Sequence, residues 1–358
     1  IEKISRESRR DKPIKSMSTS SRWKWIPAGG MAILVLLALA YLNFYNHALR
    51  PSISAVTRVL QLPFREIMYS GLSGDGNWIV FWALSEDKQW DLYQVHSSGG
   101  DPRRITNGIT RSLGWQAELS QDGSQIICST FDGIYIVPIT GTSIRKLPVD
   151  WGGGIRWRSD GGRIGGTKFN DRQQIEFWSS TPTGEDNRRA FTDTLDTWGN
   201  FHFCYSPDGN SVAWIRHFAK GFEEIFIHNL ATHDERQLTF AKKNIEDVTW
   251  TNQNLIVFSS DIAGSLNLWM VPAEGGDPMQ LTRGSGPDDH PRISKDGSRL
   301  LYQSMQMIGH VMIASTSGKE WQQVTFDDKG IYGNKGFSPD GNRIAVSMQD
   351  PRFGWTGG

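Results

Sequence analysis

From about residue 56 onward, apolar and polar residues alternate with a period of two in short runs. Examples are Asp91-Leu92-Tyr93-Gln94-Val95, Gly133-Ile134-Tyr135-Ile136-Val137, Ser211-Val212-Ala213-Trp214-Ile215, Glu224-Ile225-Phe226-Ile227, Asn267-Leu268-Trp269-Met270-Val271 and Arg343-Ile344-Ala345-Val346. Successive side chains of a strand point to opposite faces, so this alternation predicts short β-strands and excludes helical solenoids, whose apolar faces recur every 3.6 residues. Turn chemistry separates the runs. Asp-Gly recurs at Asp75-Gly76, Asp122-Gly123, Asp160-Gly161, Asp208-Gly209, Asp296-Gly297 and Asp340-Gly341, spaced by 47, 38, 48, 88 and 44 residues. Aspartate suits the second corner of a type I turn, and glycine suits the left-handed position that ends it.

The interval of 88 is two periods, with a worn copy midway at Trp250-Thr251-Asn252-Gln253-Asn254, so the unit occurs seven times. Each copy predicts a strand before the Asp-Gly turn, one after it and a third beyond a loop. A fourth ends in Ile105-Thr106, Leu238-Thr239, Leu281-Thr282 or Val324-Thr325. Four short antiparallel strands per period of about 44 residues is the pattern of a β-propeller blade. The expected fold is all-β, a propeller of six to seven four-stranded blades over residues 56–358, C-terminally incomplete. Val56–Leu62 is expected to act as an orphan outer strand that completes the last blade and pairs both sheet edges.

Ahead of the repeats the pattern changes. Ile26 to Tyr45 is an uncharged apolar run of 20 residues. As a helix it is about 30 Å long, the thickness of a bilayer core. Trp23, Trp25, Tyr41 and Tyr45 stand near its ends, where aromatic rings favour the interface. The expectation is one transmembrane helix over 26–46, after a basic juxtamembrane segment (1–25) and before a linker (47–55). Residues 1–25 hold eight basic and three acidic side chains, a net of +5, against a formal charge of zero for the whole chain. The positive-inside rule then puts the N-terminus in the cytoplasm and the repeats outside. Ala38-Leu39-Ala40 also fits a signal-cleavage pattern, so a cleaved leader is the competing reading.

Composition narrows the classes further. Two cysteines, Cys128 and Cys204, exclude a disulfide-dense scaffold and a multi-cysteine zinc module. They lie in strand patterns and read as buried thiols. The residues after 25, of net −5, give no basic patch for nucleic acid.

The Ser-Pro-Asp-Gly turns at 206–209 and 338–341, the Leu-Trp-x-Val strand at 268–271 and the Gly-Gly-Asp-Pro-x-Gln-Leu-Thr tail at 275–282 together resemble the TolB-like propeller of bacterial envelope proteins. The resemblance covers about residues 56–350 and is specific for fold rather than function. A basic tail, one span and such a propeller resemble the C-terminal half of a bacterial receptor serine/threonine kinase or of a membrane-bound winged-helix regulator. The resemblance implies an extracytoplasmic sensor or protein-interaction module in a bacterial inner or cytoplasmic membrane, with the propeller periplasmic or extracellular. Two alternatives stay open: the substrate-gating propeller of a membrane-anchored prolyl-oligopeptidase-family peptidase, and a TolB-like periplasmic scaffold.

No nucleophile elbow, P-loop or kinase catalytic motif occurs in the sequence. No catalytic residue, metal ligand or cofactor is expected; the expected partners are the membrane and a protein or peptide, not nucleic acid. The six Asp-Gly pairs are expected to be structural turns. The opposite face, around the channel mouth, is the expected binding face. Its candidates are Arg111, Trp115, Trp151, Trp198, His202, Asp247, Asp288, His290 and Tyr332, flanked by loops at 85–90 and 216–222. Aromatic rings among mixed charges suit a peptide or protein patch.

Overall fold

The structure, a computed structural model, describes residues 59–64, 66–108, 116–193, 202–284, 286–304, 311–315, 321–325 and 331–349. The first blade comprises β1 (Ile67–Leu72), β2 (Trp78–Leu84), β3 (Trp90–His96) and β4 (Arg103–Arg104). The second comprises β5 (Gln116–Leu119), β6 (Gln125–Thr130), β7 (Gly133–Pro138) and β8 (Arg145–Lys146). The third runs β9 (Gly153–Trp157), β10 (Ile164–Phe169), β11 (Ile175–Ser180) and β12 (Arg188–Thr192). The fourth runs β13 (Phe203–Tyr205), β14 (Ser211–Phe218), β15 (Phe222–Asn229) and β16 (Glu235–Gln237). The fifth runs β17 (Ile245–Trp250), β18 (Leu255–Ser260), β19 (Asn267–Pro272) and β20 (Met279–Gln280). Each is an antiparallel sheet with its strands in chain order. Three two-stranded sheets follow: β21 (Asp288–Ile293) with β22 (Leu300–Ser304), β23 (Met312–Ala314) with β24 (Trp321–Gln323), and β25 (Ile331–Phe337) with β26 (Ile344–Gln349).

Among the described residues the propeller has five complete four-stranded blades, where the repeat count suggests six to seven. The inner strands explain the difference. β1 packs beside β5, β5 beside β9, β9 beside β13, β13 beside β17, and β17 beside β21, which packs in turn beside β1. The pair β21–β22 thus closes the circle with two strands. Among the described residues, β23–β24 and β25–β26 are hydrogen-bonded only within their own pairs, and Trp321 (68% exposed) and Phe337 (63%) are left facing solvent.

A second expectation also changes. The described part of the Val56–Leu62 segment is not a strand. Leu60, Leu62 and Phe64 instead pack on Phe81, Tyr93 and Val95 of the first blade, together with Leu301 of β22. Their apolar side chains fill the seam at the closure rather than extending a sheet edge. The expected transmembrane span lies outside the described residues, and no described helix is long and apolar enough to cross a membrane.

The core lies between blades. One face of β14–β15 (Ala213, Ile215, Ile225, Ile227) meets Val248, Trp250, Phe258 and Trp269 of the fifth blade. The other face (Trp214, Phe226) meets Phe177 and Phe191 of the third. A strand covered on both faces reads as nearly continuous apolar sequence, as β2 does in Trp-Ile-Val-Phe-Trp-Ala-Leu. Trp82 and Trp214 are fully buried, and each such side chain contributes about 1.5–3 kcal/mol or more by leaving water.

The repeated turns share one hydrogen-bond design. In the fourth blade the Ser206 hydroxyl donates to Asp208 Oδ1 (2.5 Å) and accepts the Ser211 N–H (2.9 Å). Asp208 Oδ1 also accepts the Asn210 N–H (3.0 Å). The Gly209 N–H closes the turn on the Ser206 carbonyl at 2.8 Å, with φ near +71°, a conformation that favours glycine. The worn copy reproduces this with Thr251 in place of serine, and Asn254 at φ +60°.

Candidate functional site

The inner strands carry the polar groups of the channel. Counting back from each turn aspartate, the sixth position reads Tyr69, Gln116, Gly154, His202, Asp247 and His290, with Gln253 standing for the aspartate of the fifth blade. The fourth position back reads Gly71, Glu118, Arg156, Cys204, Thr249 and Arg292. The register of β1, β17 and β21 against the second strand of each sheet slips between these positions. Such a bulge re-aims side chains. At the sixth position Tyr69 (φ +47°), Gly154 (+53°) and His290 (+54°) are left-handed. Glycine takes this geometry freely. For tyrosine and histidine it costs on the order of 1–3 kcal/mol, and such strain concentrates at functional sites.

Asp247, on β17, is the centre of the cluster and is fully buried. Its Oδ1 lies 3.0 Å from Arg156 Nη2, 3.0 Å from His202 Nδ1 and accepts the Val248 N–H at 2.7 Å. Its Oδ2 accepts from Arg292 Nη1 at 2.8 Å. Arg156 Nε also lies 3.7 Å from Glu118 Oε2. A second carboxylate stands behind His290: Asp289 Oδ2 is 3.0 Å from His290 Nδ1, and Asp289 Oδ1 accepts from Ser259 Oγ at 2.6 Å. The His202 and His290 rings lie 5.7 Å apart and nearly perpendicular, and Tyr69 packs edge-on against His290 at 5.3 Å. Side chains from strands distant in sequence therefore meet at one point on the channel.

Burial sets the charge states. It works to raise the Asp247 pKa, yet Arg292, His202 and Arg156 hold that carboxyl well below its usual range. Burial pushes His202 down, with Asp247 opposing, and so favours the neutral imidazole. Burial also raises Glu118, against the pull of Arg156 and Arg292. A cavity of about 150 Å³ opens on the turn side, lined by Glu118, Arg156, Cys204, Thr249 and Arg292.

The structure brings together His202, Asp247 and His290 from the expected set. Asp288, at the start of β21, is buried. Trp151 is 3% exposed, packs with Ile134 and Ile155 between the second and third blades, and donates to Asn187 Oδ1. Arg111, Trp115 and Trp198 lie outside the described residues, as does the side chain of Tyr332. The flanking loops are tight turns: Ser85 pairs with Gln89, and Arg216 belongs to β14, buried against Asp193 and Glu235. Cys128 and Cys204 are buried free thiols, as expected. Glu118, Arg156, Asp289, Arg292 and Tyr69 were not among the expected site residues. The signal that finds most of them is position relative to the turn, since Tyr69, Glu118, Arg156 and Arg292 stand at the same two offsets in their copies.

The blade pattern and its turns also match a known family. Residues 202–354 match the family model described as the TolB beta propeller domain. The match spans 153 of the 358 residues, and it is a likeness of those repeats to that family. Two solved structures, each at a TM-score of 0.50, share the fold. A chain of a nidogen–laminin complex is similar at a TM-score of 0.50 and 16% identity, over 62% of this chain and 82% of that one. An oligogalacturonate lyase solved in complex with manganese is similar at 0.50 and 14%, over 77% and 84%. TolB from Acinetobacter baumannii aligns at 0.39 and 14%, over 78% of this chain and 62% of that one. At these identities the likeness to solved structures concerns the propeller fold alone.

Proposed function

We propose that this chain is the extracytoplasmic binding propeller of a single-pass bacterial signalling protein, and that it engages a protein or peptide partner at the channel mouth. The observation that carries the reading is the convergence of His202, just ahead of β13, with Asp247 on β17, His290 on β21 and Tyr69 on β1, braced by Arg156 and Arg292. A few fixed polar groups beside an aromatic ring suit recognition. The chemistry of the signal would lie elsewhere in the protein, and these residues would bind and not catalyse. The basic segment before the apolar run supports the orientation, with the propeller outside.

Two measurements test this. A photo-crosslinking amino acid at Tyr69 in intact cells is expected to give discrete adducts, and the same amino acid at exposed Phe131 is not. No adduct from Tyr69, or the same pattern from both positions, sinks the binding reading. Alkaline phosphatase fused after residue 358 is expected to be active and β-galactosidase inactive; the reverse sinks the topology.

A further inference from the structure

We propose that His202, Asp247 and His290 form a binding site for one divalent transition-metal ion of the zinc class at the channel mouth. The inference goes beyond partner recognition and does not depend on it. One potential donor atom from each residue lies within 4.8 Å of the other two. Ligands of a tetrahedral ion with bonds of about 2.1 Å stand about 3.4 Å apart, so the donors close in by about 1 Å as the ion binds. His202 Nδ1 and Asp247 Oδ1, 3.0 Å apart, are already within that spacing. Two imidazoles and a carboxylate suit borderline cations and do not suit calcium or magnesium, which take oxygen.

The surroundings supply the outer shell that such sites use. Asp289 holds His290 through Nδ1 and is itself held by Ser259, which leaves Nε2 as the ligating nitrogen. A carboxylate behind a metal-binding histidine fixes the ring and raises its basicity. Arg292 grips the far oxygen of Asp247 and Arg156 the near one, so the carboxylate is positioned before any ion arrives. His202 and His290 keep 18% and 14% of their side chains exposed, which gives an ion a route in from solvent. Three protein ligands leave a coordination position open toward the channel.

The test uses the full chain purified in detergent, stripped with chelator and titrated with Zn2+ by calorimetry and with Co2+ by visible absorption. The expected result is one ion per chain and a cobalt d–d band of the intensity that four- or five-coordinate nitrogen and oxygen sites give. His202→Ala and His290→Ala are each expected to weaken binding at least tenfold, and Asp289→Asn about 10–100-fold through loss of the outer shell. His233→Ala, at an exposed turn, is expected to change nothing. Folding of each variant is checked by its thermal melt. If a histidine variant does not fold, pulsed EPR of Cu2+ bound to the native chain decides, with couplings to two imidazoles expected. No stoichiometric binding, affinity unchanged in both histidine variants, or copper couplings to fewer than two imidazoles overturns the proposal.

Discussion

Arg299 Nη1 lies 2.7 Å from the carbonyl oxygen of Gly76, a residue 223 positions earlier in the chain. The same nitrogen reaches Asn77 Oδ1 at 2.9 Å and Ser97 Oγ at 2.8 Å, and the Lys295 N–H donates to the Gly74 carbonyl alongside. These bonds join β22 and its turn to the first blade, so the propeller is closed by a two-stranded sheet.

Arg299→Ala is expected to lower stability by about 1 kcal/mol, since the bonds are charge-assisted but partly exposed. That corresponds to a melting point lower by about 2 °C for a domain of this size. Arg343→Ala, at the matching position of the last copy, is the control and is expected to have no effect. A scanning melt of both variants checks the pair.

Asp247 balances two buried guanidiniums. Asp247→Asn is expected to cost about 3–5 kcal/mol, because Arg156 and Arg292 are left as unpaired buried cations. The combined change of Asp247→Leu, Arg156→Met, Arg292→Met and Glu118→Met is expected to recover most of that loss, since it removes the buried charges together. Urea unfolding followed by tryptophan fluorescence measures both.

The turn aspartates make a linked prediction in pH. Ser294 and the Ser298 N–H and hydroxyl lower the Asp296 carboxyl to about 2, below its unfolded value of about 4. A depressed acid stabilises the fold above its unfolded pKa and loses that contribution as pH falls through the folded one. The stability difference between the native chain and Asp296→Asn is therefore expected to be constant above about pH 5. It should shrink between about pH 4 and pH 2. A difference that grows on acidification contradicts the assignment.

Burial raises the Cys128 and Cys204 thiols far above the ordinary cysteine value. Neither is expected to react with Ellman's reagent in the native chain, and both are expected to react in denaturant. Rapid labelling of either thiol without denaturant would show that its blade opens locally.

Period-two strands and Ser-x-Asp-Gly turns are local. Alternation follows from the pleat, and the turn follows from a hydroxyl, a carboxylate and a glycine within four residues. The sequence by itself therefore determined the blades, the buried thiols and the turn roles of Asp75, Asp122, Asp208, Asp296 and Asp340, whose carboxylates each accept from their own turn serine. It also named His202, Asp247 and His290 as blade-entry residues; the structure places Asp247 on β17 and His290 on β21. What it did not determine is what is set by closure. Whether a seventh copy joins the circle depends on which edge β1 meets, and β21 reaches it first. Trp151 looked like a binding residue because its place in the chain resembles that of His202, but its indole turns into the seam between two blades. The cluster itself joins Glu118, Arg156, Asp247 and Arg292 across as many as 174 residues, and no local pattern encodes such a distance. Only the folded ring brings those charges within reach of one another.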